Sequence, residues 1–455
     1  MTKIFVRFLE LARTIQKRPL KHTEPNFSGV IKSADIIHKI VSKNVDQHEL
    51  DKISAGQMNQ IGIYKNVVSF PMSDSASGYS YYGGLMNPDR FELLQAAILM
   101  RNGKPCQKLP IGKDSSSILA PLPEADGLFL FAGILFNNFG HFLVESLGRL
   151  WAYNSYKMYD PYIVFYSSWG MPEYWKKGNY MNDVFEGLGI PVDRIVFFSD
   201  PVRLKCVLVP EQKYGFGLFT KRDPSFLHFV SAFKSKGYLP ERADKHHHVY
   251  VSRSGLPIES GRPIGEAVFE EYLKRQGYFI FYPERHTIYE QLRVYKEAKR
   301  IIFCDGSSIH SCILLPDVEA EVAIIARRRD PRWTYEEITA QFMGFNKHVI
   351  WIDEVIGQYQ FGLESWDAVG ELDWKQISRH LKDKGYVNEI FAGLSDDEYK
   401  DLKKMELLQY IQRITSKPQF LHYLLQRQEQ FPQLPLGYGG LPPGGNMFNT
   451  LIDEE

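Results

Sequence analysis

Val249-Tyr250-Val251-Ser252-Arg253, Tyr278-Phe279-Ile280-Phe281 and Ile301-Ile302-Phe303-Cys304-Asp305-Gly306 are three short apolar runs, each cut off by polar or small residues. Between them lie two stretches of helical length. Glu266 to Gln276 is closed by Gly277. Thr287 to Lys299 opens with Thr287 three residues before Glu290, the spacing of a capping box. A helix is expected after Gly306, and Val322-Ala323-Ile324-Ile325 and Val349-Ile350-Trp351-Ile352 continue the strand series. Short unbroken apolar runs suit strands buried on both faces, and strands alternating with helices mean βαβ units and a mostly parallel sheet. Residues 220–355 therefore predict a Rossmann-type unit. Ligands of such sheets bind beyond the carboxyl ends of the strands, near helix N-termini.

Working outward, the signal is less regular. Leu128 to Phe136 reads as one or two short buried strands around Gly133, and a helix is expected from Gly140. Tyr162–Tyr166, Arg194–Phe198 and Cys206–Val209 read as strands, and Ser225–Lys236 as a helix. Residues 30–125 show a mixed pattern, in which the Ser/Gly/Tyr-rich stretch Ser73–Gly84 reads as a loop. Residues 371–430 read as helical, and Phe431–Asn449, rich in Gly, Pro and Leu, as a mobile tail. At the N-terminus Lys3, Arg7, Arg13, Lys17, Arg18 and Lys21 face only Glu10. This segment is either an ordinary terminal helix or a weak attachment to an anionic membrane surface through residues 1–22. Charges interrupt its apolar run, so no signal peptide is expected, and no run of 18 apolar residues predicts a transmembrane helix.

The length of 455 residues suits two main domains with extra segments. Lys+Arg and Asp+Glu are equal at 54 each, which argues against a general nucleic-acid binder and leaves room for a local basic site. Cys106, Cys206, Cys304 and Cys312 form no C-x-x-C pair, a pattern that fits a reducing, cytoplasmic setting. His246-His247-His248 lacks carboxylate or cysteine neighbours and reads as an exposed loop. No Asp-x-Asp triplet occurs, so no metal is expected; neither GxGxxG nor a Walker motif occurs, which weakens dehydrogenase and P-loop readings.

Three blocks could carry chemistry. In Asn137-Asn138-Phe139-Gly140-His141-Phe142-Leu143-Val144-Glu145-Ser146-Leu147-Gly148-Arg149, His141 and Glu145 share a helix face, and Arg149 lies one turn further on. They form either a proton-transfer pair or a surface Glu145–Arg149 ion pair beside a core-edge histidine. Arg253, at a strand end, and Arg262 suit phosphate by their planar forks, or are exposed arginines of a solvated loop. Asp305-Gly306-Ser307-Ser308-Ile309-His310 offers backbone amides to an anion, or is a plain strand–helix turn.

In order and spacing across roughly 126–330, these blocks resemble glycosyltransferase family 61. The resemblance rests on Asn138 to Glu145 followed by Arg149-Leu150-Trp151, on Val251-Ser252-Arg253 with Arg262, on Glu290-Gln291 and Ala298, and on Gly306 to Pro316. Asp305 departs from the histidine often found before that glycine. The resemblance implies an α/β, GT-B-like fold: two Rossmann-type domains facing each other across a cleft, plus C-terminal helices. The expected division is a basic segment 1–25, an acceptor-side domain 26–215 carrying the base, a nucleotide-sugar domain 216–360, a helical extension 361–430 and a tail 431–455. The implied activity is inverting, metal-independent transfer from a nucleotide-sugar, of UDP type, to a glycan or glycolipid acceptor in surface polysaccharide biosynthesis, with no cofactor. Under it Glu145 is the favoured base and His141 its partner or the alternative base. Arg253 and Arg262 clamp the diphosphate, Gly306, Ser307, Ser308 and His310 line the donor, and Glu290 meets the ribose. Asn138 and Arg149 serve the acceptor or support the site. A catalytically inactive scaffold of a polysaccharide-assembly complex and a different Rossmann enzyme, such as an epimerase, are the competing classes.

Overall fold

A computed structural model describes residues 60–74, 81–108, 122–167, 180–235, 247–329, 332–360 and 368–415. The basic segment 1–25 and the tail 431–455 lie outside the described residues. The five apolar runs of the C-terminal half form one parallel sheet, in the order Phe279–Phe281, His248–Val251, Arg300–Cys304, Glu321–Ile325, Val349–Ile352. In chain order this is 2-1-3-4-5, a doubly wound arrangement. Its order reverses between His248–Val251 and Arg300–Cys304, and the crevice that takes ligands opens at such a reversal. Ile301, Ile302, Phe303 and Cys304 are all fully buried, as strands covered on both faces require. The capping box expected at Thr287 and Glu290 starts the helix Ile288–Glu297.

A second, mixed sheet of eight strands is built from the N-terminal half. Val202–Pro210, Glu124–Leu135, Tyr162–Ser167 and Ile195–Val196 run parallel, and Ile61–Asp74 and Tyr81–Asn87 extend it antiparallel beyond Val202–Pro210. Glu124–Leu135 is one strand whose register shifts between Phe131 and Gly133. One apolar cluster joins the two sheets, from Leu130 and Phe165 through Phe142, Phe185 and Phe233 to Leu292, Ile309 and Phe303.

Several expectations change. The stretch Ser73–Gly84 is strand at both ends, with residues 75–80 outside the described set. Gly83 serves close packing rather than a turn: its φ is 117°, and a Cβ there would stand 2.4 Å from the Pro71 carbonyl oxygen. The helix expected from Gly140 is only one α-turn, Phe139–His141, running into a π-turn, Phe142–Ser146. The helix expected over Ser225–Lys236 splits into Pro224–Val230 and Ala232–Ser235. Of the described residues in 371–430, Trp374–Asp383 and Asp396–Thr415 are helical, and 416–430 lie outside the described set. His248 opens a strand, half-buried, instead of lying in an exposed loop. No helix among the described residues is long and apolar enough to cross a membrane. All four cysteines are free and buried.

Candidate active site

The carboxyl edge of the parallel sheet gathers cations. Arg253 follows the first strand, Asp305 and Gly306 follow the third, and Arg327 and Arg328 follow the fourth. The Arg253 guanidinium donates through Nε to the Gly261 carbonyl and through Nη2 to that of Ser260. Its Nη1 occupies the space a side chain at 306 would need, since a Cβ there would stand 2.1 Å away. Glycine at 306 is therefore a steric requirement of Arg253. Arg327 donates through Nε to the Asp305 carbonyl at 2.9 Å, and Arg328 Nε lies 3.4 Å from the buried Asp305 carboxylate. Burial pulls the Arg327 guanidinium down to about 9, and repulsion from Arg253 and Arg328 adds to the fall. Three like charges crowded at the switch point, with Asp305 between them, make an edge that an anionic ligand would relieve.

The same edge touches the mixed sheet. A Cβ on Gly140 would lie 3.1 Å from Ser307 Oγ and 3.2 Å from His310 Cδ2. The α-turn that carries His141 thus seats directly on the turn after Gly306. Asn138 caps it, accepting from the amides of Gly140 at 3.0 Å and His141 at 3.4 Å. A continuous line runs from Arg253 through Gly306, Ser307 and Gly140 to His141.

At the end of that line His141 Nδ1 meets Glu145 Oε2 at 2.6 Å, the four-residue spacing surviving the change from α- to π-turn. Arg101 closes on the same carboxylate through both oxygens, Nε to Oε1 at 2.6 Å and Nη2 to Oε2 at 3.0 Å. The Glu145 side chain is 0% exposed and that of His141 43%. Burial pushes the Glu145 carboxyl up, but the hydrogen bonds and charges of His141 and Arg101 outweigh it and hold it below the usual carboxylate range. A carboxylate held ionised against Nδ1 fixes the imidazole with its proton there. Nε2 is left to accept one.

Other sequence candidates have different surroundings. Arg149 does not pair with Glu145. It is buried and braces three carbonyls: Ala96 at 2.8 Å, Ile98 at 3.0 Å and Pro210. The break in the helix after Ser146 turns it off the Glu145 face, so the surface ion pair does not exist. Arg262 is tied to Glu406 at 3.1 Å and to the Ser254 carbonyl at 3.2 Å. Glu290 spends its Oε2 on the amide and hydroxyl of Thr287. His310 joins the cluster, bonded through Nδ1 to Gln341 at 2.8 Å; burial lowers its pKa. Ser308 stands near the Tyr295 hydroxyl. The unforeseen members are Arg101, Arg327 and Arg328. The last two had a readable signal, Arg327-Arg328-Arg329 directly after an apolar run. Arg101 had none, because it sits 44 residues from Glu145 in a hairpin of two-residue strands. Among the described residues no group of three or more His, Cys, Asp or Glu could hold a metal.

No curated protein matches the chain. Residues 139–321 match the model of the family described as Glycosyltransferase 61, a span that opens beside Gly140 and His141 and takes in Arg253 and the turn after Gly306. Over these residues the chain carries a glycosyltransferase family 61 domain, which supports a glycosyltransferase.

Proposed function

We propose that the protein transfers a sugar, with inversion and without a metal, from a UDP-type nucleotide-sugar to a glycan hydroxyl, in surface polysaccharide synthesis at the cytoplasmic face of a membrane. The observation that carries the reading is the contact line from Arg253 through Gly306 and Gly140 to His141, which sets a cationic edge beside an imidazole. In a GT-B-like division, residues 216–360 hold the donor and 26–215 the acceptor, with the reaction at the seam.

In this mechanism His141 Nε2 takes the proton of the acceptor hydroxyl as its oxygen attacks the anomeric carbon. Glu145, ionised and pinned by Arg101, orients the ring and stabilises the imidazolium. Its full burial and engaged oxygens favour this supporting role over that of base, which exchanges the roles the sequence suggested. The departing diphosphate gathers charge where Arg253, Arg327 and Arg328 converge and the Ser307 turn begins. Arg253 is the cation whose Nη1 lies on Gly306, and Arg262, held by Glu406, supports its loop.

The test is sugar transfer from a panel of UDP-sugars, with UDP release as readout. His141→Ala is expected to slow turnover by roughly 10²–10⁴-fold while UDP binding persists, and activity should survive excess EDTA. Normal turnover by folded His141→Ala would move the base elsewhere. Loss in EDTA restored by Mn²⁺ would overturn the cationic mechanism.

A further inference from the structure

Behind Arg253 lies a pair of buried carboxylates that the mechanism above does not use. Glu266 and Glu270 stand one turn apart on the helix Glu266–Arg275, 1% and 3% exposed. Glu266 Oε1 accepts from the Arg253 backbone amide at 3.0 Å, from the Tyr250 hydroxyl at 2.8 Å and from Ser252 Oγ at 3.2 Å. Glu270 accepts from the hydroxyls of Ser252, Ser254 and Tyr282. The turn Ser252-Arg253-Ser254 is thus moored, residue by residue, to two acids.

The proton count of this cluster is short. Ser252 has one hydroxyl proton and two carboxylates within reach, so one of those contacts lacks a proton unless a carboxyl supplies it. Glu266 Oε2 is buried without a hydrogen-bond partner among the described residues. We propose that Glu266 is a positioning residue for the donor: it fixes the turn that aims Arg253, and it takes up a proton when a diphosphate settles on the switch point. The inference rests on the donor site proposed above.

Physical chemistry supports both halves. Removing Glu266 frees the amide of the residue whose guanidinium lies on Gly306. The groups facing the carboxyl are Tyr250 and Cys304 on neighbouring strands, Arg253 on the turn and Glu270 on its own helix; Glu406 holds the preceding amide of Gly265. Burial lifts the Glu266 carboxyl to about 7, with the charge of Glu270 adding to the rise and the bonds from Arg253 and Tyr250 opposing it. An arriving dianion raises it further. The neutral acid tolerates that dianion better than the carboxylate does, so affinity is highest where Glu266 is already protonated. It falls as pH rises through about 7.

Calorimetry of UDP binding to the full chain, in paired buffers of different ionisation enthalpy, tests this. UDP's own phosphate titrates in the same range, so the reading is the difference between wild type and Glu266→Gln. Wild type should take up more proton than Glu266→Gln, and its affinity should fall relative to that variant between about pH 6 and about pH 8. Glu266→Ala, which unmoors the turn, should bind UDP roughly tenfold more weakly at about pH 6, where the wild-type carboxyl is neutral. Equal proton uptake by wild type and Glu266→Gln overturns the proposal; should Glu266→Ala not fold, this comparison decides alone. UDP binding by folded Glu266→Ala at wild-type strength at about pH 6 also overturns it. If wild type binds no UDP, the donor site itself is misplaced, and the role of Glu266 falls with it.

Discussion

A methyl group at position 306 would land 2.1 Å from Arg253 Nη1, a collision with the far end of a flexible side chain. The cheap remedy is for the guanidinium to swing away. Gly306→Ala should therefore melt close to wild type but bind UDP more weakly, by about the 1.5–3 kcal/mol of a charge-assisted contact. Thermal unfolding and calorimetry of the same preparation check both halves; unchanged affinity would separate Arg253 from the donor. Legibility at this scale followed sequence distance. His141 and Glu145 pair because four residues on a helical turn bring them together, and that local rule needs no fold. Arg101 reaches the same carboxylate only because the mixed sheet brings its hairpin there, and no local pattern encodes that. Arg149 misled for a related reason: its place depends on a helix continuing that instead ends in a π-turn.

Among the elements, the helix Asp396–Thr415 does more than cover a face. Its Glu406 accepts from Arg262 at 3.1 Å and from the Gly265 amide at 2.9 Å, just before the helix that carries Glu266. The Arg262 and Glu406 side chains are only 17% and 8% exposed. Glu406→Ala leaves a mostly buried guanidinium and an amide without their acceptor, so stability should drop by about 3–5 kcal/mol. Urea unfolding measures this, and a loss below about 1 kcal/mol would mark the pair as a solvated surface bridge. The strands of the parallel sheet were readable because each is a short apolar run between helices of fitting length. The antiparallel strands Ile61–Asp74 and Tyr81–Asn87 were not. Asn66 with positive φ, a shifted register and glycines at 83 and 84 blur the two-residue alternation that marks a strand.

Across the whole molecule the two sheets share a single apolar cluster, with Phe142, Phe165 and Phe185 on one side of the seam and Leu292, Ile309 and Phe342 on the other. Neither side can shed its partner without exposing that surface. Unfolding should then be one event: intrinsic fluorescence, to which Trp151, Trp351 and Trp374 contribute, and far-ultraviolet circular dichroism should give coincident urea transitions. Two resolved transitions would show the halves to be independent. The doubly wound half and the carboxyl edge of its sheet could be foreseen because alternation and strand ends are local features. That the edge would meet the His141 turn followed from no local feature, since residues 140 and 307 meet only through the packing of two sheets.

The Arg101–Glu145 pair has a consequence for modular engineering. Residues 139–321 form the span shared with the family, yet the arginine that secures Glu145 comes from position 101, and the acid that secures Arg262 from position 406. A graft of the shared span alone would carry His141, Arg253 and the turn after Gly306 into a new host without either tether, and without Arg327 and Arg328. The boundary of heredity and the boundary of the working part do not coincide in this chain, and any chimera has to be cut to the second.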